Sequence, residues 1–208
     1  MNAIADTIAR RIRGKGRGWV FTPRDFLDVA SRTAIDQTLS RLARKGMIRR
    51  LDRGLYDYPK QHDTLGTLSP SADDLAQALA KQTGNRVFPS GAAAANYLGL
   101  STQVPARPVY LTNGASRTKK VAGRTITLKH AKVPIIHRLS DTANLLLQAL
   151  SYLGQNGIDD KVIQQCAARL NDRDLRDLSK ARARVPAWMA DVILKIEHIK
   201  NGQLRQTA

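Results

Sequence analysis

Five polar side chains recur at helical spacing between residues 33 and 44, and their types suit hydrogen bonding to base edges. At ~100° per residue they fall on one side of a helix. They are Thr33, Gln37, Ser40, Arg41 and Arg44. Arg and Gln make paired hydrogen bonds to guanine and adenine, and Ser or Thr reaches bases or phosphates. The pattern predicts a helix that enters the major groove of DNA, although an ordinary solvated helix face has the same polarity.

The flanking residues predict how this helix begins and ends. Ser31 is the expected N-cap, and Gly46 is expected to end the helix, with cations in the last turn where the helix dipole favours them. We expect Ser31 and Arg32, at the helix start, to hold phosphates. The opposite side of the helix is apolar, which predicts a core-facing stripe formed by Ile35, Thr38, Leu39 and Leu42.

A β-hairpin is predicted directly after the helix. Residues 47–51 and 55–58 read as two strands, and Asp52-Arg53-Gly54 between them supplies a tight turn. Arginines of this hairpin are expected to reach the DNA backbone or minor groove. They are Arg49, Arg50 and Arg53.

The residues before Ser31 complete a compact module. An amphipathic helix is predicted over residues 3–13, a strand over 19–21, and a short helix that starts at Thr22 with Pro23 in its first position. Together with the hairpin, this order predicts an N-terminal winged helix-turn-helix domain over residues 1–60.

The run from Phe21 onward reads FTPRDFLDVASRTAIDQTLSRLARKGMIRRLDRGLYDYP. With its Ser-Arg helix start and its Arg-Gly-Leu-Tyr hairpin, it resembles the N-terminal winged-helix domain of the AbiEi-type antitoxins of type IV toxin–antitoxin systems. The segment Pro89-Ser90-Gly91-Ala92 resembles the start of that family's second domain. The resemblance implies an antitoxin that represses its own operon through inverted repeats in double-stranded DNA and counters a nucleotidyltransferase-like toxin.

A second domain is predicted over residues 70–200, after a polar connector at 60–70. Ser71 and Ser90 are expected helix N-caps, and strands are expected at 108–112, 118–121 and 124–130. The remainder reads as helices at 141–153, 159–170, 172–183 and 186–200. The expected fold class is therefore α+β: a winged helix-turn-helix followed by a mixed α/β domain with a helical C-terminal part.

The predicted strands of the second domain carry a further set of cations. Three interpretations remain open: an exposed sheet face whose charge discourages edge pairing, a second nucleic-acid contact, or a toxin-binding face. The residues are Arg117, Lys119, Lys120, Arg124, Lys129 and Lys132.

The overall charge favours a polyanionic partner. The 208 residues carry 34 Lys and Arg against 17 Asp and Glu, a net charge of +17. Residues 1–60 hold 14 basic against 6 acidic side chains, whereas residues 141–208 are nearly balanced. No apolar run approaches the ~20 residues of a membrane helix, and there is no signal-peptide run at the start, so we expect a cytoplasmic protein with no membrane partner.

Enzymatic residue sets are scarce in this sequence. Its single Glu is Glu197, its four His are scattered, and its single Cys, Cys166, lies on an apolar helix face. We therefore expect no enzyme, no catalytic residues, no metal site and no cofactor.

The first alternative to the antitoxin is a stand-alone winged-helix transcriptional regulator with a sensing or interaction C-terminal domain. A second is an RNA-binding or nucleoid-type structural protein. On an inverted repeat, two copies are expected to bind as a homodimer or cooperatively.

Overall fold

The computed structural model describes residues 3–106 and 108–206. Helices and several small sheets make up these residues, which confirms the predicted α+β class. Their backbone contacts divide the chain into two compact units, described separately below. One unit comprises Met1–Asn85 and Arg117–Thr127, and the other comprises Arg86–Ser116 and Leu128–Ala208.

The first unit begins with a helix, a strand, a second helix and a hairpin in the predicted order, with a 3₁₀ turn where the sequence predicts a further short helix. Its first elements are α1 (Ala3–Lys15), β1 (Val20–Phe21), a 3₁₀ turn (Pro23–Phe26), α2 (Arg32–Arg44), β2 (Arg49–Asp52) and β3 (Leu55–Asp57). They are followed by β4 (Gln61–His62), β5 (Gly66–Thr67) and α3 (Ala72–Gln82).

Capping residues fix the ends of α2, as the sequence predicts. The hydroxyl of Ser31 accepts a hydrogen bond from the Ala34 N–H. Beyond the helix, Gly46 has a φ of +71°, and the N–H of Met47 donates to the Leu42 carbonyl at 3.1 Å. This left-handed glycine and the backward hydrogen bond end the helix and turn the chain into β2.

The short helix predicted from Thr22 is instead a single 3₁₀ turn, Pro23–Phe26. The N–H and the hydroxyl of Thr22 both donate to the Asp25 carboxylate, at 2.8 and 3.0 Å. The Val29 N–H then donates to the Phe26 carbonyl three residues back. These local hydrogen bonds satisfy the backbone groups within one tight turn, so the segment does not extend into a longer helix.

This unit contains a three-stranded antiparallel sheet with the order β1-β3-β2. Phe21 is paired with Tyr56, and their rings stack at 6.1 Å. Both side chains belong to the core that the apolar faces of α1 and α2 complete. The predicted core stripe of α2 is buried in full, and the residues buried on α1 are Ile8, Ala9 and Ile12.

Helix α3 contacts β1 and β3 of the same sheet. It begins at the predicted N-cap Ser71, whose hydroxyl accepts a hydrogen bond from the Asp74 N–H. Five of its apolar residues are buried. The segment predicted as a connector at 60–70 contains the small, exposed hairpin β4–β5, whose two-residue strands are too short to produce a sequence pattern.

The second unit contains the elements that bring the chain to its C-terminal helices. They are β6 (Val87–Pro89), α4 (Gly91–Tyr97), β7 (Val109–Thr112), α5 (Asp141–Leu153), α6 (Asp160–Arg169), α7 (Asp172–Ala181) and α8 (Ala187–Gln206). Strand β8 (Arg117–Val121) belongs to the first unit, and β9 (Arg124–His130) begins in the first unit and ends in the second. In the second unit, β6 pairs with β7 in antiparallel register. Helix α8 continues past the predicted end at residue 200.

Packing in the second unit is dominated by α4 against α5 and α6 against α8. Gly91 permits the first of these approaches, because a Cβ there would lie 2.5 Å from the Tyr152 Cβ. The start of α5 is held by two buried acids of α7. Asp177 accepts from the Ser140 N–H at 2.8 Å, and Asp174 accepts from its hydroxyl at 2.6 Å. Their negative charge lies at the N-terminus of α5, where it interacts favourably with the positive end of the helix dipole.

Across the described residues, none of the helices combines the length and apolar character that a membrane crossing requires.

Candidate functional site

The five polar residues predicted on α2 form one exposed stripe. Each has an exposed side chain, while the residues between them on the opposite side are buried. Within the described part of the chain, none of the five makes an ion pair or a side-chain hydrogen bond. The stripe is formed by Thr33, Gln37, Ser40, Arg41 and Arg44. These donors and acceptors are therefore free to bind a ligand.

The first turn of α2 is less free. Arg32 donates from Nε to both oxygens of Asp36, at 2.9 and 3.1 Å, one helical turn along. Both side chains are about half exposed, so the pair competes with any phosphate only weakly. The Ser31 hydroxyl is engaged as the N-cap and remains exposed.

The hairpin arginines separate by strand alternation. Arg50 is paired in register with Tyr56, whose ring lies on the α2 side of the sheet, and the Arg50 side chain is exposed. Arg49 is paired in register with Asp57 on the other side. Its guanidinium donates twice to the Asp57 carboxylate, at 2.6 and 3.1 Å, and once to the Leu68 carbonyl. Of the two, only Arg50 shares a face with α2.

Arg49 belongs to a structural ion pair. The Asp57 side chain is 1% exposed and that of Arg49 34%. Hydrogen bonding to Asp57 raises the pKa of Arg49, so the guanidinium stays charged opposite the buried carboxylate.

The tip of the hairpin is braced by residues distant in sequence. The Nε2 of Gln82 donates to the carbonyls of Arg53 and Gly54, both at 3.0 Å. Lys119 of β8 forms an ion pair with Asp52 and lowers the pKa of that carboxyl. These contacts fix the turn from which the exposed Arg53 side chain extends.

Between α2 and the hairpin lies a groove of about 510 Å³. We call it the arginine groove. Its charged and polar walls include Arg24, Arg32, Asp36, Ser40, Arg50 and Arg53. The groove is therefore lined by four guanidinium groups and one carboxylate. Because the stripe residue Ser40 also lines this groove, the groove and the α2 stripe form one continuous basic surface.

Two residues of this surface, Arg24 and Gln82, were not predicted from the sequence. Arg24 follows Pro23 in the 3₁₀ turn, and its guanidinium lies against the backbone of Gly84. Gln82 lies at the end of α3, outside the module predicted at 1–60. The long-range contacts of Arg24 and Gln82 leave no local pattern in the sequence. The different environments of Arg49 and Arg50 do have a signal there, because successive residues of a strand point to opposite faces of the sheet.

The cations predicted as a second basic surface have different environments. In the first unit, Arg117 donates to the Leu79 carbonyl of α3 and Lys119 pairs with Asp52, and both are half-buried. Lys120 and Arg124, in the same unit, are exposed. In the second unit, Lys129 and Lys132 are exposed. Two of the six therefore serve the internal contacts of the first unit.

Two features of the described residues bear on catalysis and metal binding: the placement of side chains that could hold a metal ion together, and the environment of the single cysteine. No group of three or more His, Cys, Asp or Glu is placed to hold a metal ion within that part of the chain. Cys166 is buried in the core of the second unit, and burial raises its pKa to about 12. Its thiol is therefore protonated at neutral pH and a poor nucleophile.

Comparison with known proteins assigns a family. The profile described as "Family of unknown function (DUF6088)" matches residues 7–178, from within α1 to within α7. The chain belongs to this family. No curated protein matches the chain. The family description names no activity.

Proposed function

We propose that this protein is a sequence-specific DNA-binding repressor of its own operon and the antitoxin of a type IV toxin–antitoxin system. The observation that carries the DNA-binding part is the unpaired polar stripe of α2 beside the arginine groove. A helix that exposes Arg and Gln without internal partners, next to a hairpin that exposes Arg50 and Arg53, is suited to a duplex.

In this proposal, residues 1–60 form a winged helix-turn-helix. Helix α2 enters the major groove, and the stripe from Thr33 to Arg44 contacts base edges. The β2–β3 hairpin acts as the wing, and Arg50 and Arg53 contact the backbone or the minor groove. Ser31 and Arg32 hold phosphates at the helix start. Arg49 is omitted from this interface because Asp57 occupies its guanidinium.

The antitoxin part of the proposal is supported by the resemblance to AbiEi-type antitoxins. The partners are double-stranded DNA with an inverted-repeat operator and a nucleotidyltransferase-like toxin. Two copies bind the inverted repeat, either as a homodimer or cooperatively on the DNA. We assign the protein to the cytoplasm and give it no catalytic role, metal or cofactor.

Exposed apolar side chains of the second unit suit a protein partner. Tyr97 and Val104 are 67% and 77% exposed. This observation equally favours the second candidate, a stand-alone regulator whose C-terminal region senses or binds another molecule. A nucleotidyltransferase-like gene directly downstream, whose toxicity is suppressed by co-expression of this chain, supports the antitoxin. Its absence supports the stand-alone regulator.

The DNA-binding assignment is tested by replacing both free arginines of the stripe. The double variant Arg41→Ala, Arg44→Ala is expected to lose about 2 kcal/mol or more of specific binding, roughly 30-fold in affinity, because each base contact contributes to discrimination. The matched control is Arg173→Ala, Arg176→Ala, which removes two exposed charges from α7. Unchanged circular dichroism establishes folding. Retained specific binding by the α2 variant would refute the assignment.

A further inference from the structure

The arginine groove has more positive charge than its own acidic groups balance. Arg32 is neutralised by Asp36, at 2.9 Å. Arg50 donates one Nε hydrogen bond to the Asp52 carbonyl at 3.4 Å, which leaves its terminal nitrogens free. Arg24 and Arg53 are exposed and form no ion pair within the described residues. Three unneutralised guanidinium groups therefore line one concave surface.

The residues of this groove come from separate elements that are held together. The backbone of Arg24 lies in the 3₁₀ turn, and its guanidinium lies near Gly84, where an added Cβ would be 3.2 Å from Nη1. The neighbouring Asp25 forms an ion pair with Lys81 of α3. Gln82, from the end of the same helix, holds the hairpin turn and lines the groove. The elements that carry these arginines are thus held together by contacts within the first unit.

The volume and the wall chemistry define the ligand class. About 510 Å³ is within the range of sites that hold small ligands or a segment of a larger one. Guanidinium groups match the geometry of phosphate oxygens, and the Ser40 hydroxyl adds a further hydrogen-bonding group.

We propose that the arginine groove is a phosphate-binding site, in which Arg24, Arg50 and Arg53 bind the oxygens of a phosphate group. The phosphate belongs either to the phosphodiester strand of a nucleic acid or to a free phosphorylated small molecule. The first source rests on the proposed function. With α2 in the major groove and the hairpin at the adjacent minor groove, the strand that separates the two grooves passes between them, where the arginine groove lies.

The experiment compares two groove variants of the full chain, Arg24→Gln and Arg50→Gln, with the control Arg173→Gln, an exposed arginine of α7. Duplex DNA of cognate and random sequence is titrated across a salt series, and inorganic pyrophosphate is titrated by calorimetry. If the groove holds the DNA strand, each groove variant weakens cognate and random DNA about equally, by roughly 3- to 10-fold, and lowers the salt slope by about one. The control variant changes neither quantity.

The pyrophosphate arm identifies the second source. Pyrophosphate binding to the wild type that both groove variants abolish, with DNA affinity unchanged, assigns the groove to a free phosphorylated molecule. If the wild type binds no DNA at all, the proposed function fails. The pyrophosphate titration alone then shows whether the groove binds phosphate. Groove variants that match Arg173→Gln in both titrations would overturn the phosphate site.

Discussion

Arg49 and Arg50 are neighbours in β2, yet they lie on opposite faces of its sheet. Arg49 pairs with the buried carboxylate of Asp57, whereas Arg50 lines the arginine groove beside Tyr56. Two identical side chains therefore have separable roles: one stabilises the fold, and the other belongs to the proposed DNA interface.

The same substitution is therefore expected to affect stability at Arg49 and DNA binding at Arg50. Arg49→Met is expected to lower the free energy of unfolding by about 1–3 kcal/mol, because it leaves the Asp57 carboxylate buried without its partner. Arg50→Met is expected to change stability by less than about 0.5 kcal/mol and to weaken DNA binding about 10-fold. Urea unfolding and fluorescence anisotropy measure the two quantities. The double variant Arg49→Met, Asp57→Asn should recover stability, and an unstable Arg50→Met would contradict the assignment.

Gln82 is expected to act as a positioning residue for the hairpin. Gln82→Ala removes two hydrogen bonds to the carbonyls of Arg53 and Gly54. At about 1 kcal/mol each, their loss should loosen the turn, accelerate hydrogen exchange of the β2–β3 amides and weaken DNA binding about 5-fold.

The control for Gln82 is Gln61→Ala, an amide whose side chain accepts a hydrogen bond from Thr67 within the β4–β5 hairpin. It should leave both the exchange rates of β2–β3 and the DNA affinity unchanged. Equal protection of the β2–β3 amides from hydrogen exchange in Gln82→Ala and the wild type would show that the Gln82 hydrogen bonds do not stabilise the turn.

Local rules predicted most of the elements of the first 60 residues. Ser31 and Gly46 bound α2, and the apolar stripe of α2 is the buried one. The hairpin turn is Arg53-Gly54, one residue shorter than predicted, because Asp52 pairs with Leu55 as the last residue of β2. These features depend on residues a few positions apart, which is the range over which capping, turn chemistry and helical periodicity act.

The features that the sequence did not predict depend on contacts between distant segments. Gln82 reaches the hairpin from 28 residues away, and Arg117 and Lys119 turn inward to α3 and Asp52. Composition shows that such residues are basic or polar but not which partner they meet. The 3₁₀ turn after Thr22 differs for a local reason, because Asp25 satisfies both donors of Thr22 within one turn.

Cys166 provides a test of the second unit. Burial raises the pKa of its thiol to about 12, so a thiol reagent at pH 8 should not modify the folded protein and should modify one equivalent in urea. Above the ordinary pKa of 9.0, the unfolded chain loses this proton while the folded chain keeps it, so stability should fall as the pH rises toward 12. Cys166→Ala should show a shallower fall between pH 9 and 11. Rapid modification of the native protein would contradict the buried placement.

Specific DNA binding through α2 is tested most directly by a gel shift of this 208-residue protein on the DNA upstream of its own gene. Random-sequence competitor is added in excess, and the titration is repeated across a salt series. We expect a complex that resists competitor and that the Arg41→Ala, Arg44→Ala variant does not form. Equal displacement by random DNA at every salt concentration would contradict this expectation and would leave only binding through charge.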